Sequence, residues 1–578
     1  MNHPIIPIAV LSTDRQRKRQ APKGRQVEPG ALAEVRALLG HAAVDEPPRH
    51  DLLIEYLHRI NDQYGQLGAP HLAALAQCLR LSLAEVFEVA SFYHHFDIVK
   101  EDAVGLITAP PALTLRVCDG LSCELAGARD LLARLPALLG REVRVIAAPC
   151  VGRCEQAPVA IVHQHPVGFA NVDTVLRAVR AGTRHDTPGG AIGLNDYIAG
   201  GGYVLLGDCL EGRRSLASVL AVLDEAGLRG LGGAGFPAGR KWRLVAAEPA
   251  PRLLAVNIDE GEPGTFKDRW CLETDPHRFL EGVLIAAWAV GIEAVYLYLR
   301  DEYHGARALL EGALADLRAA PPVAGRALPH IELRRGAGAY ICGEESAMIE
   351  SIEGKRGLPR LRPPYVAQVG LFGRPTLEHN LETLFWVREL LERGGAWFAA
   401  QGRHGRHGLR RFSVSGRVRE PGVKLAPAGI TVQELIDEFC GGMLEGHQLY
   451  AYLPGGASGG ILPASLNHLP LDFDTLQPHG CFIGSAAVIV LSQHDKVVDA
   501  ARNLMRFFEH ESCGQCTPCR VGTVKASALI AEPRWNLPLL AELSQVMRDA
   551  SICGLGQAAP NPVDCVIRYF PHELTADE

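Results

Sequence analysis

The sequence predicts a multidomain α/β and α+β protein, and three observations carry that expectation. The first is length. The chain has 578 residues, too many for one core, and roughly 150 residues per domain suggests about four domains. The second is a change of hydrophobic period, from helical spacing in the early part to strict alternation after position 111 and strand–helix alternation from position 186. The third is fifteen cysteines, of which two groups cluster tightly. Hydrophobic residues at 47% and charged residues at 21% place the chain among globular proteins. A net charge of -7 argues against nucleic-acid binding as the main role. There is no uncharged apolar run of about 18 residues, so no membrane span or membrane partner is expected. The N-terminus puts its basic residues after its apolar run, unlike a secretory signal, so a cytoplasmic location is expected.

Residues 1–45 read as a basic arm ("RQRKRQAPKGRQ"), either solvated or docked on a partner. Residues 46–110 read as helical. Leu53, Leu57, Ile60 and Tyr64 recur at helical spacing, and Ser82 with Glu85 forms a capping-box pattern ahead of Val86, Val89 and Tyr93. Over 111–185, Leu113, Leu115 and Val117 alternate with Thr114 and Arg116 in a strand running into Cys118. "VRVIAAPC" runs into Cys150, and "PVAIVH" follows Cys154. "TPGGAIG" reads as a linker. Over 186–410, strands such as "LLAVN" and "AVYLYL" alternate with helices such as "DPHRFLEGVLIAAWAV", which predicts a mainly parallel sheet. Over 411–490, "RFSVSGRV" and "CFIGSAAVIVL" read as strands around one helix, "ITVQELIDEFC". Residues 491–578 read as mostly helical.

Clustered thiols in a reducing compartment point to metal or catalysis. Cys118, Cys123, Cys150 and Cys154 form C-x4-C and C-x3-C pairs, each following a predicted strand. Four thiolates suit zinc or an iron–sulfur cluster. Structural zinc favours C-x2-C knuckles, so the spacing favours [2Fe-2S]. Cys513, Cys516 and Cys519 form C-x2-C-x2-C, the run that offers three corners to a [4Fe-4S] cube. The fourth ligand is expected at Cys553, beside Gly554 and Gly556, with Cys565 as the fallback. Arg520 stands either as a charge near the cluster or as a surface residue. The remaining cysteines read as small buried hydrophobes.

"GLRGLGGAGFPAGRKW" at 227–242 holds Gly230, Gly232 and Gly235 in a G-x-G-x-x-G match. A helix pattern precedes it where the dinucleotide fingerprint needs a strand, so the match alone is weak. Its glycine density still implies close backbone approach to a ligand, with Lys241 able to meet phosphate. "NIDEGEPGTFKD" at 257–268 adds Asp259, Glu260 and Glu262, carboxylates suited to ribose hydroxyls or a flavin ring rather than to phosphate. "GAGAYICGEESAMIESIEGKRGLPRLRPPY" adds Gly343, Glu344, Glu345, Arg362 and Tyr365.

These three stretches and both cysteine groups resemble the flavoprotein of respiratory complex I and its relatives over nearly the whole chain from about position 45. The resemblance implies a thioredoxin-like [2Fe-2S] domain (111–185), a Rossmann-like FMN- and NADH-binding domain (186–410), a β-grasp-like (SLBB) domain (411–490) and a C-terminal helical bundle with [4Fe-4S] (491–578). "APKGRQV", "GLRGLGGAGFP", "LRRGAGAYICGEES" and "YLPGGASGGILPAS" look most like the diaphorase (beta) subunit of soluble NAD-dependent molybdenum or tungsten formate dehydrogenases. The implied partner is a large alpha subunit with molybdopterin and further iron–sulfur clusters. The related alternatives are the diaphorase of an NAD-reducing hydrogenase and a complex I fusion. A zinc-stabilised scaffold without redox chemistry is the other class. By resemblance, FMN is lined by Gly230, Gly232, Gly233, Lys241, Asn257, Asp259, Glu260, Gly343, Glu344 and Asn380. Phe236 stacks on the adenine of NAD, Glu262 and Glu345 meet the nicotinamide ribose region, and Arg362 and Tyr365 complete the nucleotide site. No protein acid or base is implied for hydride transfer. The chain departs from the family pattern at Leu231 (for Arg), Arg362 (for Lys), Tyr365 (for Phe), Leu244 (for a second adenine-stacking aromatic) and His379 (for Asn).

Overall fold

The periodicities above become elements in a computed structural model that describes residues 25–40, 49–103, 106–186 and 188–574. The chain divides into two units, residues 1–91 with 96–110, and residues 92–95 with 111–578. The first unit is helical. The expected arm is a helix over much of its described length: α1 (Pro29–Leu39) starts on a proline and buries Ala31, Val35 and Leu39, one face at four-residue spacing. The rest of the arm lies outside the described residues, apart from a short lead-in where Arg25 pairs with Glu28. α2 (Leu53–Tyr64) buries Leu53, Leu57 and Ile60 and ends on the left-handed Gly65. β1 (Leu67–Gly68) and β2 (Ile98–Val99) pair in parallel. Between them lie α3 (Ala69–Leu79) and α4 (Leu83–Phe92). Ser82 and Glu85 exchange the two hydrogen bonds of the capping box at the start of α4.

Among the described residues, the second unit holds three sheets. In the first, β3 (Leu113–Cys118) pairs in parallel with β4 (Val143–Ala148) and antiparallel with β5 (Ala160–Val162), which pairs with β6 (His165–Val167). α5 (Leu121–Leu125), α6 (Ala128–Leu139) and α7 (Val172–Ala181) accompany it. Leu115, Val117, Leu131, Leu135 and Val175 share its core. Cys123 is a helical residue, within α5.

The second sheet is wholly parallel, with β7 (Arg252–Ile258), β8 (Ile292–Leu299), β9 (His330–Arg335) and β10 (Thr376–Asn380) in the order β10-β7-β8-β9. β7 and β8 are near-continuous apolar runs because both sheet faces are covered. α8 (Leu216–Ala226) and α9 (Ala238–Ala246) precede β7. α10 (Lys267–Thr274) and α11 (Pro276–Val290) connect β7 to β8, and α12 (His304–Ala319) connects β8 to β9. α13 (Glu345–Ile352) lies in the return to β10.

The third sheet runs β12-β11-β15-β13-β14, from β11 (Leu409–Gly416), β12 (Gly422–Pro427), β13 (Leu449–Leu453), β14 (Leu462–Pro463) and β15 (Ala487–Ser492). β11 and β15 are parallel and the other pairs antiparallel. "CFIGSAAVIVL" is thus a strand only from Ala487, and the predicted helix over 430–440 is a short turn, Val432–Glu434, widened into a π-helical turn at Leu435–Phe439. The C-terminal region is helical: α14 (Val497–Glu511), α15 (Thr517–Ala531), α16 (Leu537–Ala550), α17 (Gly554–Ala558) and α18 (Asn561–Tyr569). Among the described residues, no helix is long and apolar enough to cross a membrane.

Leu254 of β7 is fully buried. Leu254→Ala is expected to cost about 2–5 kcal/mol and to lower the thermal unfolding midpoint, read by calorimetry.

Candidate functional site

Topology fixes where a ligand can sit. From β7 the chain winds outward through β8 and β9, then returns to place β10 on β7's other side. The crevice at the carboxyl ends of β7 and β10 is the switch point of this sheet, where open α/β sheets bind ligands. Asn257 and Asn380 end those strands in direct register. A cavity of about 420 Å³ opens there, and every cofactor-site residue named from the sequence lines it except Tyr365. Tyr365 is 56% exposed and does not border the cavity, so the structure does not support its expected place in the nucleotide site.

α8 is capped by Ser215 and closed by the left-handed Gly227, which turns the chain into the glycine loop. Gly230 N–H donates to Phe236 O at 2.8 Å and Leu231 N–H to Thr383 Oγ1 at 2.9 Å. Leu231 is buried and holds the loop down. A Cβ on Gly232 would sit 2.9 Å from Asn380 Cβ, so only glycine lets the loop close on the end of β10. Phe236 is partly exposed under the guanidinium of Arg240, 5.5 Å from the ring centroid. Lys241 reaches the cavity from α9 and donates to Glu378 O at 2.9 Å. Leu244 points to solvent, 48% exposed, and borders no part of the cavity.

The loop after β7 carries the carboxylates. Asn257 Nδ2 donates to Gly343 O at 2.8 Å, which ties two of the three predicted stretches together. Glu260 accepts from Asp268 N–H at 2.8 Å, Arg269 N–H at 3.1 Å and Tyr303 O–H at 2.9 Å. Burial, then the Asp268 charge, pushes its pKa up to about 7. Glu262 accepts from the Ser458 N–H and hydroxyl, both at 2.7 Å, and from the Tyr340 hydroxyl. Burial still raises its pKa. Glu344 caps α13, accepting from Ser346 N–H at 3.0 Å and Ala347 N–H at 2.9 Å. Arg362 pairs with Glu344 and, at 2.8 Å, with Glu345. His379 is buried and accepts from Trp242 Nε1–H at 2.8 Å, and burial keeps it neutral.

Sequence reasoning passed over several lining residues. Lys267 and Asp268 pair at 2.8 Å, and Lys267 also reaches Glu382 at 3.1 Å. Burial alone would lower the Lys267 pKa, but Asp268, Glu382 and Glu260 outweigh it and keep the ammonium charged. The Lys267-Asp268 dipeptide is the sequence signal for this pair, and it reads like any surface charge pair. Tyr340, Ser458, Phe482 and Ser485 also line the cavity, brought in from distant segments.

The cavity fits a flavin. Asp259 Oδ2 is buried without a protein partner, and the residue borders the cavity, so a ligand hydroxyl would satisfy it. Burial raises the Asp259 pKa as well.

The early thiols converge. Cys118 contacts both Cys123 and Cys150, and Cys150 Sγ lies 3.3 Å from Cys154 Sγ. All four are buried and free of disulfides. Their donor set fits a two-iron cluster. Their loop is bolted to the flavin-site side. Arg300 donates to Cys150 O at 2.7 Å and to Glu260 O at 2.5 Å, and Arg269 donates to Gly152 O at 2.9 Å. In the late set, Cys516 and Cys553 are the N-cap residues of α15 and α17. A Cβ on Gly556 would lie 2.8 Å from Cys519 Cβ, so this turn needs glycine to bring Cys553 up to the C-x2-C-x2-C run. Cys565 faces elsewhere, its Sγ 3.6 Å from Cys481 Sγ. Arg520 donates to Gly514 O at 2.6 Å and so braces the cysteine turn. Gly554 and Leu555 border the flavin-shaped cavity.

Gly152 has a left-handed backbone, φ 68°, and a Cβ there would overlap the Tyr303 hydroxyl. Gly152→Ala is expected to cost about 1–3 kcal/mol and to undock this loop. Iron analysis with electron paramagnetic resonance should show the early cluster depleted and the late one retained.

Comparison with known proteins agrees with this geometry. The Nuo51 FMN-binding domain matches residues 223–389, the iron-sulfur binding region of NADH-ubiquinone oxidoreductase-F residues 499–577, the thioredoxin-like [2Fe-2S] ferredoxin family residues 41–182, and the SLBB domain residues 411–462. An NADH-quinone oxidoreductase subunit of Rhizobium meliloti is 40% identical over 403 residues, 68% of this chain and 95% of the relative. NADH dehydrogenase [ubiquinone] flavoprotein 1 of Dictyostelium discoideum is 42% identical over 373 residues, 62% of this chain and 78% of the relative. A crystal structure of an NAD+-reducing [NiFe]-hydrogenase in the H2-reduced state matches at a TM-score of 0.79 and 33% identity, covering 91% of this chain and 92% of that one. The chain belongs to the complex I 51 kDa flavoprotein family, as a fusion that joins a thioredoxin-like [2Fe-2S] domain to the FMN-binding, SLBB and [4Fe-4S] domains.

Proposed function

We propose that the chain is the NAD(H)–FMN electron-transfer subunit of an NAD-dependent formate dehydrogenase complex. One observation carries the electron-transfer part. The cavity at the sheet's switch point is bordered by Gly554 and Leu555, which directly follow Cys553, and Arg300 joins the loop of that cavity to Cys150 of the early set. The flavin supplies chemistry that amino acids lack, exchanging two electrons with NAD as hydride and one at a time with iron–sulfur clusters.

The residues have binding and positioning work. Gly230, Gly232 and Gly233 give backbone approach, and Lys241 offsets phosphate charge. Asn257, Asp259, Gly343, Glu344 and Asn380 hold the flavin's polar side, and Glu260 fixes the loop that bears Asp259. Phe236 offers its ring to the adenine. Glu262 and Glu345 face the ribose region, with Arg362 held between Glu344 and Glu345. Cys118, Cys123, Cys150 and Cys154 ligate [2Fe-2S]. Cys513, Cys516, Cys519 and Cys553 ligate [4Fe-4S]. The purified protein should carry about six irons, two for the first and four for the second.

The formate reading rests on the four stretches that resemble formate dehydrogenase beta subunits, with a molybdopterin-bearing alpha subunit as partner. A second reading, the diaphorase of an NAD-reducing hydrogenase, is favoured by the shared fold over nearly the full length of that hydrogenase chain. Elemental analysis of the co-purifying large subunit decides between them. Molybdenum or tungsten supports the first reading, and nickel overturns it.

Cys553→Ala is expected to remove one ligand of the late cluster. Turnover linked to the partner should then fall more than tenfold, whereas NADH-driven reduction of a flavin-accepting dye falls less than threefold at equal flavin content. Full partner-linked turnover without the late cluster would contradict the assignment. NAD should be preferred over NADP by at least tenfold in kcat/KM, because the carboxylates that line the cavity, Glu262, Glu344 and Glu345, disfavour the added charge of a further phosphate on the dinucleotide. Glu345→Gln should narrow that ratio.

A further inference from the structure

A second cavity of about 210 Å³ lies beside the early-cluster loop, lined by His94, His510, Glu511, Arg300, Glu302 and Cys150 among others. Electron transfer as described above assigns no role to the two histidines. His94 follows α4 and is anchored through its backbone, donating to Gly338 O at 3.3 Å, while the neighbouring Tyr93 hydroxyl donates to Lys355 O at 2.7 Å. His510 and Glu511 are the last two residues of α14.

The ligating atoms of His94, His510 and Glu511 lie within 4.8 Å of one another. The imidazole of His94 makes no hydrogen bond among the described residues, so its ring nitrogens are free to ligate. Glu511 is buried, and the Tyr340 N–H holds its Oε2 at 2.9 Å, which leaves Oε1 toward His510 Nδ1 at 3.0 Å. A ligand carboxylate oriented by a backbone donor is a feature of working metal sites. Arg300 on the cavity wall is matched by Glu302 at 2.8 Å. The His94 and His510 rings stack, centroids 4.2 Å apart and planes 25° apart. Binding would exchange that stack for coordination by turning a ring about its own side-chain bonds.

We propose that His94, His510 and Glu511 form a site for a divalent transition metal of the zinc class, separate from both cysteine sets. Two imidazoles and one carboxylate select zinc-like ions over magnesium or calcium, which prefer all-oxygen ligands. Three protein ligands leave a coordination position for water, which the cavity accommodates.

The test uses the iron- and flavin-loaded protein, dialysed against chelator and titrated with zinc chloride by calorimetry. One zinc per chain should bind with micromolar affinity or tighter. His94→Gln and His510→Gln should each weaken binding at least tenfold, and His330→Gln, on an exposed residue paired with Glu332, should leave it unchanged. Iron and flavin content report whether each variant is folded, and either folded variant suffices. Zinc-edge X-ray absorption on the unmodified protein gives a reading independent of any variant. A nitrogen and oxygen shell supports the site. A sulfur shell, binding undiminished in a folded histidine variant, or no binding at all overturns it.

Discussion

The Glu260 carboxylate holds together more of this molecule than its size suggests. Taking a carboxylate out of water is unfavourable unless donors replace the lost hydration. Here two backbone N–H groups at the start of α10 and the Tyr303 hydroxyl do so. The same residue's carbonyl accepts from Arg300, whose other terminal nitrogen grips the Cys150 carbonyl. One acidic residue thus fixes the loop after β7, the start of α10 and, through Arg300, the loop that presents two of the early thiols. Arg300 thus ties the loop after β7 to the early cysteine loop.

The rest of the site follows from where the strand order of the parallel sheet reverses. With β10 beside β7, two asparagines end adjacent strands in register, and the crevice beyond them is walled by segments from most of the chain. Ser458 and Ser485 come from the third-sheet domain, and Gly554 and Leu555 from the C-terminal helices. The domains are therefore not beads carrying separate cofactors. They share one wall of the cavity.

Charge inside that wall is balanced locally. Lys267 is as buried as any aliphatic core residue, yet two carboxylates and the Asn380 amide oxygen surround its ammonium. Glu344 and Glu345 share Arg362, and Glu262 is satisfied by hydroxyls and an N–H rather than by a cation. The result is an acidic rim over a neutralised floor.

Features whose signal is local were legible before any fold was known. The C-x2-C-x2-C run, the paired early cysteines, the capping box at Ser82 and Glu85 and the strand-to-helix alternation are set by spacing within a few residues, and each has its counterpart in the fold. So do the three glycine- and carboxylate-rich stretches, because close backbone approach demands glycine wherever the chain lies. Whatever depends on distant segments meeting was settled by packing instead. Tyr365 is placed in the nucleotide site by resemblance, but it faces solvent and does not border the cavity. Cys565 and Cys553 are both plausible partners for the late run by spacing, and only packing turns one toward it and the other toward Cys481. Lys267 reads as a surface lysine until Asp268, Glu382 and Asn380 close around it. Local sequence fixes backbone propensity and ligand spacing, whereas a side chain's surroundings are fixed by contacts across hundreds of residues, which no periodicity encodes.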